Sequence, residues 1–123
     1  MGFGGFHHVQ LAIPRGREDE AVAFYSHVLG FEQIPKPAHL RKRGGCWFRS
    51  GATELHLGVE DPFTPARKAH PALLVNDLEQ LRNRLRRAGV EPVVDTQLEG
   101  QHRFYASDPF GNRLEFMAVD PSD

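Results

Sequence analysis

Two histidines and two glutamates stand at matching places in the two halves of this 123-residue chain: His8 with His70, and Glu54 with Glu115. Glu115 lies inside the run Arg113-Leu114-Glu115-Phe116-Met117-Ala118-Val119. Period-two alternation puts Leu114, Phe116 and Ala118 on one face of that strand and leaves the carboxylate on the other. An ionised carboxylate on a covered face is costly unless something compensates it. A divalent cation removes that cost, and neutral imidazole with carboxylate is a ligand set for first-row metals. His8 and Gln10 share the polar phase of the first strand, and Glu54 and His56 that of a later one. His56 has no echo, because Met117 stands at the equivalent place, and it reads as a pocket wall. Nothing resembles a GxSxG elbow, a phosphate-cradling glycine loop or paired CxxC motifs.

The elements that must carry these residues read as follows. Residues 6–13 form a strand with Val9, Leu11 and Ile13 on its apolar face. Residues 17–29 form a helix. Its early acids Glu18, Asp19 and Glu20 suit the N-terminal dipole, Ala21, Phe24, Tyr25, Val28 and Leu29 make its apolar stripe, and Gly30 stops it. Strands follow near 32–35, 45–50 and 52–59. The basic run from His39 to Gly45 reads as a solvated hairpin tip. Asp61-Pro62-Phe63-Thr64-Pro65 breaks regular structure. The second half repeats the order: a strand over 70–75, then a helix capped by Asn76 or Asp77 with Glu79 or Gln80 three residues on. That helix buries Leu78, Leu81, Leu85 and Ala88 and ends at Gly89. Strands near 90–94, 103–107 and 112–119 complete the chain, the last two joined by the Asp108-Pro109 and Gly111-Asn112 turn.

Sixty-two positions separate His8 from His70, 61 separate Glu54 from Glu115, and 59 separate Gly30 from Gly89. Landmarks of different chemistry recurring at nearly one offset indicate a duplicated βαβββ unit. The expected class is therefore α+β, in one domain: module one over about 6–60, a linker over 61–68, and module two over about 69–119. The modules pair into a curved, cup-shaped mixed sheet with helices outside, and the polar residues line the hollow.

Composition narrows the function classes. A net charge of −1 offers no global field for nucleic acid or anionic lipid, and no apolar stretch is long enough to span a membrane. The opening residues carry no basic and apolar leader pattern, so no secretory signal is expected. Cys46 is the only cysteine, which excludes an internal disulfide and points to a reducing cytosol.

The stretches "FHHVQLAIP", "AVAFYSHVLGFE", "AHPALLV" and "FYASDPFGNRLEF" resemble the vicinal oxygen chelate superfamily. That group holds glyoxalase I, fosfomycin-resistance enzymes, extradiol dioxygenases and bleomycin-resistance proteins. The resemblance runs from about Phe6 to Val119. It implies paired βαβββ modules, a homodimer with the site shared between chains, and a divalent metal (Ni, Co, Zn, Mn or Fe(II)) acting on a small-molecule substrate. By position, His8, His70 and Glu115 match the metal ligands, and Glu54 matches the additional ligand glutamate of glyoxalase I, where a ligand carboxylate also moves the substrate proton. Tyr105 falls where fosfomycin enzymes place a substrate-contacting tyrosine. Gln10 replaces their threonine and Asp95 lies about where they carry a lysine, which argues against that activity. Extradiol enzymes need an additional acid–base histidine, for which only His56 or His102 is available.

The leading expectation is a metal-dependent lyase or isomerase of glyoxalase type. Its metal is held by His8, Glu54, His70 and Glu115, Glu54 is the base, and Gln10, His56 and Tyr105 border the substrate. The competing expectation is a metal-free protein that sequesters a small molecule, as bleomycin-resistance proteins do.

Overall fold

The computed structural model describes residues 1–94 and 102–119 and divides into two compact units, Met1–Thr64 and Pro65–Asp123. The architecture is α+β, with one small sheet in each unit.

In the first unit, strand β1 (Val9–Ile13) leads into helix α1 (Glu18–Ala21), which continues as a π-helical stretch over Val22–Val28. β2 (Glu32–Ile34), β3 (Cys46–Ser50) and β4 (Thr53–Val59) follow. The sheet order is β1-β4-β3-β2, with β1 parallel to β4 and the other pairs antiparallel. The helical stripe is real but wound more loosely than α-spacing implies: Ala21, Phe24 and Tyr25 are buried, while Val28 and Leu29 stay partly exposed. Tyr25 stacks on Phe48 of β3 at 5.6 Å, tying helix to sheet. Leu55, Leu57, Phe48 and Ile13 complete this core, each large side chain contributing about 1.5–3 kcal/mol by leaving water.

The acid-rich helix start does more than complement a dipole. Glu18 Oε2 accepts the Gly45 amide at 2.8 Å, pinning the entry to β3. Gly45 has a φ of +85°, and a Cβ there would collide with the Leu57 carbonyl, so only glycine fits. The basic run between β2 and β3 folds as a 3₁₀ helix over Ala38–Arg43, its polar residues turned to water. Neighbouring Cys46 is buried, and desolvation pushes its thiol up to about 11, which makes it an inert core residue.

In the second unit, β5 (Ala72–Val75), α2 (Leu78–Arg87), β6 (Arg103–Ser107) and β7 (Arg113–Ala118) form a sheet of order β5-β7-β6. β5 runs parallel to β7 as β1 does to β4, and β6 is antiparallel to β7. Asp77 caps α2 by accepting the Gln80 amide at 3.0 Å. Leu81 and Leu85 are buried, but Ala88 lies at the exposed C-cap and leaves the expected stripe. The strand expected over 90–94 reduces to a single bridge between Val93 and Tyr105. Asp95 lies outside the described residues.

The turn from β6 to β7 is built around Asp108. Its Oδ1 accepts the amides of Phe110 at 2.9 Å and Asn112 at 2.8 Å, and its Oδ2 accepts the Asn112 side-chain amide at 2.9 Å. Both oxygens of a buried carboxylate are thus satisfied within five residues. This local network sets where β7 starts, and so where Glu115 falls.

Candidate functional site

Each unit brings one glutamate against one histidine. In the first, Glu54 and His56 are alternate residues of β4 and point to the same side. Glu54 Oε2 lies 2.6 Å from His56 Nε2. His56 is buried because two rings enclose it: Trp47, its cross-strand partner on β3, stacks on one face at 3.9 Å, and His8 stacks on the other at 3.9 Å. Burial pulls the imidazole below its ordinary range, with the bond to Glu54 opposing that shift. The ring is therefore neutral near pH 7 and donates its Nε2–H to the carboxylate. That bond, followed by the nearby imidazoles, holds the Glu54 carboxyl below the usual range.

His8 sits just before β1 rather than inside it, since the first strand begins at Val9. Its Nδ1 lies 2.9 Å from His7 Nδ1, and Nε2 has no hydrogen-bond partner among the described residues. Gln10 pairs in register with His56, and its side chain lies over Gly58, where a Cβ would fall 2.7 Å from Gln10 Nε2. His56, expected as a pocket wall, holds Glu54 from a buried position.

In the second unit the partners come from distant parts of the chain. His70 precedes β5, and its Nδ1 donates to the Lys68 carbonyl oxygen at 2.7 Å, an atom that can only accept. Its Nε2 faces Glu115 Oε1 at 2.9 Å. Glu115 is buried in the middle of β7, and Arg103 donates to its other oxygen at 2.8 Å. Tyr105, opposite Glu115 in the register, packs edge-on to His70 at 5.4 Å between ring centroids. Arg113 lies over the Tyr105 ring at 4.1 Å and Arg103 at 5.6 Å.

These contacts bear on whether the donors suit a cation. With the proton of a neutral ring committed to Lys68, the Nε2 lone pair of His70 points at a carboxylate lone pair. That contact needs a positive centre, either a second proton on the ring or a metal ion. Imidazole nitrogen with carboxylate oxygen is a set that divalent first-row ions accept; the free Nε2 of His8 and the ionised Glu54 are of the same kind. Arg103 turns Glu115 so that one oxygen faces His70, as residues behind a metal ligand commonly do. Among the described residues, no group of three or more His, Cys, Asp or Glu side chains is placed to hold one ion. The sequence reading missed Arg103, Trp47 and Arg113. Each stands in the polar phase of its strand, and that alternation was the available signal.

The fold and these pairs define a class: an α+β protein of two related units, each carrying a carboxylate–imidazole pair beside its sheet. The family model described as "Glyoxalase/Bleomycin resistance protein/Dioxygenase superfamily" matches residues 5–116, and the chain belongs to that superfamily. This bears out the vicinal oxygen chelate resemblance. A solved structure of a Bacillus anthracis protein, ascribed to the glyoxalase family, is 48% identical over 98% of each chain with a TM-score of 0.92. Two more distant structures share the fold. The fosfomycin resistance protein FosX of Listeria monocytogenes, in complex with Mn(II) and 1S,2S-dihydroxypropylphosphonic acid, is 16% identical, covers 97% of this chain and 95% of its own, and has a TM-score of 0.78. Lactoylglutathione lyase of Agrobacterium tumefaciens is 19% identical over 95% and 96% of the two chains, with a TM-score of 0.67. No match was found among curated proteins.

Proposed function

We propose that the protein is a metal-dependent enzyme of glyoxalase type, a lyase or isomerase acting on a small oxygen-rich substrate. His8, Glu54, His70 and Glu115 would hold the ion. The observation that carries this reading is the 2.9 Å approach of His70 Nε2 to Glu115 Oε1, with the far side of each partner fixed by Lys68 and Arg103. A bound divalent ion would supply Lewis-acid stabilisation of negative charge developing on a substrate oxygen. The protein's own residues handle the proton. Glu54 is kept ionised by the bond from His56, so its accepting form is present at neutral pH. His56, neutral and clamped between rings, orients that carboxylate and does not compete for the proton. Gln10 and Tyr105 border the substrate. The assembly is proposed to be a cytoplasmic homodimer that shares the site between its chains.

The test is metal content by mass spectrometry in protein purified without chelator, repeated in His8→Ala and Glu115→Ala. Stoichiometric metal in the wild type, lost in both variants, is the expected result. A metal-free wild type that still takes up small molecules would replace this reading with the sequestration one. One observation favours that second reading: Arg103 already neutralises Glu115, so its charge is matched without a cation.

A further inference from the structure

A cleft of about 580 Å³ opens in the second unit beside Tyr105, and two guanidiniums line it, Arg67 and Arg113. Neither makes a hydrogen bond or ion pair to a described residue. Among the described residues of the lining the one carboxylate, Glu91, is already engaged by Arg86 at 3.5 Å. Among the described residues, the cleft's positive charge from two planar, five-donor groups is therefore uncompensated.

Their placement is built in. Arg113 lies over the Tyr105 ring at 4.1 Å. A guanidinium held over an aromatic face by cation–π attraction can keep its N–H edges directed away from the ring, free to bond an oxyanion in a bidentate manner. Arg67 is brought in by the segment before it: Pro65 packs so closely on the β6–β7 turn that a Cβ at Gly111 would lie 3.1 Å from Pro65 Cγ, and Gly111 also has a φ of +93°. The turn that sets the start of β7 thus also anchors the strand of chain carrying Arg67. The same Tyr105 ring packs edge-on to His70, 5.4 Å between ring centroids.

The geometry points to this cleft as an oxyanion subsite: Arg113, preorganised on Tyr105, and Arg67 bind a carboxylate or phosphoryl group fixed on the substrate. This deepens the proposed function by naming a substrate class, an oxygen-rich molecule with a permanent anionic group, and it rests on that reading only for what happens at the other end of the molecule. Anion binding itself is independent of metal.

The experiment is a calorimetric or NMR titration of chelator-treated protein with inorganic phosphate and with acetate, at ionic strength held constant with chloride. Saturable binding is expected, weakened at least about tenfold by Arg113→Gln and several-fold by Arg67→Gln, and unchanged by Arg87→Gln on the exposed end of α2. Arg113→Lys, which keeps the charge but loses the planar stack, should also bind more weakly. The stronger of the two probes identifies the anion as phosphoryl or carboxylate. Absence of saturable binding by the wild type, or equal binding by wild type, Arg113→Gln and Arg67→Gln, overturns the subsite. Arg67 is exposed and bonds nothing described, so its variant tests the idea even if Arg113→Gln misfolds. Phosphate binding that depends on both arginines in a protein that takes up no metal would keep the subsite and remove the metal reading; stoichiometric metal without anion binding would do the reverse.

Discussion

The two carboxylate–imidazole pairs bury opposite partners. In the first unit the imidazole is the buried partner, His56 at 6% side-chain exposure against 19% for Glu54; in the second the carboxylate is, Glu115 at 7% against 21% for His70. The inversion decides what each unit must add. A buried imidazole can shed its charge and be packed by neighbours, and Trp47 and His8 do that by stacking. A buried carboxylate held close to a cationic partner keeps its charge, and Arg103 supplies the compensation. Two glutamates at matching places in the sequence thus reach similar donor sets through different physics, one by aromatic burial and one by ionic pairing.

The largest expected effect follows from that ionic pairing. Arg103→Met leaves Glu115 buried beside His70 alone and should cost on the order of 3 kcal/mol in urea unfolding, as breaking one side of a buried pair does. The double variant Arg103→Met/Glu115→Leu should recover most of that loss. If the single variant matches wild type, the second unit does not depend on its ion pair and the contrast fails.

Next comes the aromatic clamp. Trp47→Leu removes one face of the stack on His56 and should cost about 1 kcal/mol. The sharper readout is NMR titration: with less burial, His56 should titrate closer to an ordinary histidine. An unchanged titration would mean that burial by the rings is not what depresses it.

The pH dependence of stability separates the units further. His56 titrates lower in the folded protein than in the unfolded chain, whose reference value is 6.5. The unfolded state therefore binds more protons as pH falls through that value, so chelator-treated protein should lose stability on acidification below about 6.5. Glu54 is also lowered, from 4.5, and adds a loss of the same sign further into acid. His56→Gln should flatten the upper part of the profile in thermal melts across pH 7 to 5. A wild-type profile flat over that range would contradict the assignment. The smallest effect is expected for Glu54→Gln, since Glu54 is the more exposed partner of its pair and glutamine keeps an oxygen to accept from His56: the unfolding midpoint should stay near wild type while metal uptake falls. A large stability loss there would erase the asymmetry between the units.

Much of the architecture was legible because it is written in local periods. Alternation in residues 113–118 separates Leu114 and Phe116 from Glu115, and the structure keeps that division. The Asp77 cap and the turn at Asp108–Asn112 are each readable within a few residues because their hydrogen bonds close within a few residues. The reading failed where a contact spans the chain. Val28 and Ala88 fit an ideal helical stripe, but a π-helical winding and a helix end leave them less covered. Arg103 looked like an ordinary strand residue; only the pairing of β6 with β7 places it against Glu115.

The chain by itself determined which residues are polar in each strand and which face they share, since a strand's geometry follows from bonding between neighbours. It also determined that a histidine and a glutamate recur in each half. Which imidazole meets which carboxylate, and which partner is buried, was decided only by tertiary structure. Glu54 takes His56 from its own strand and Glu115 takes His70 from 45 residues away, because strand register and ring packing, not sequence distance, set the few ångströms over which these groups interact.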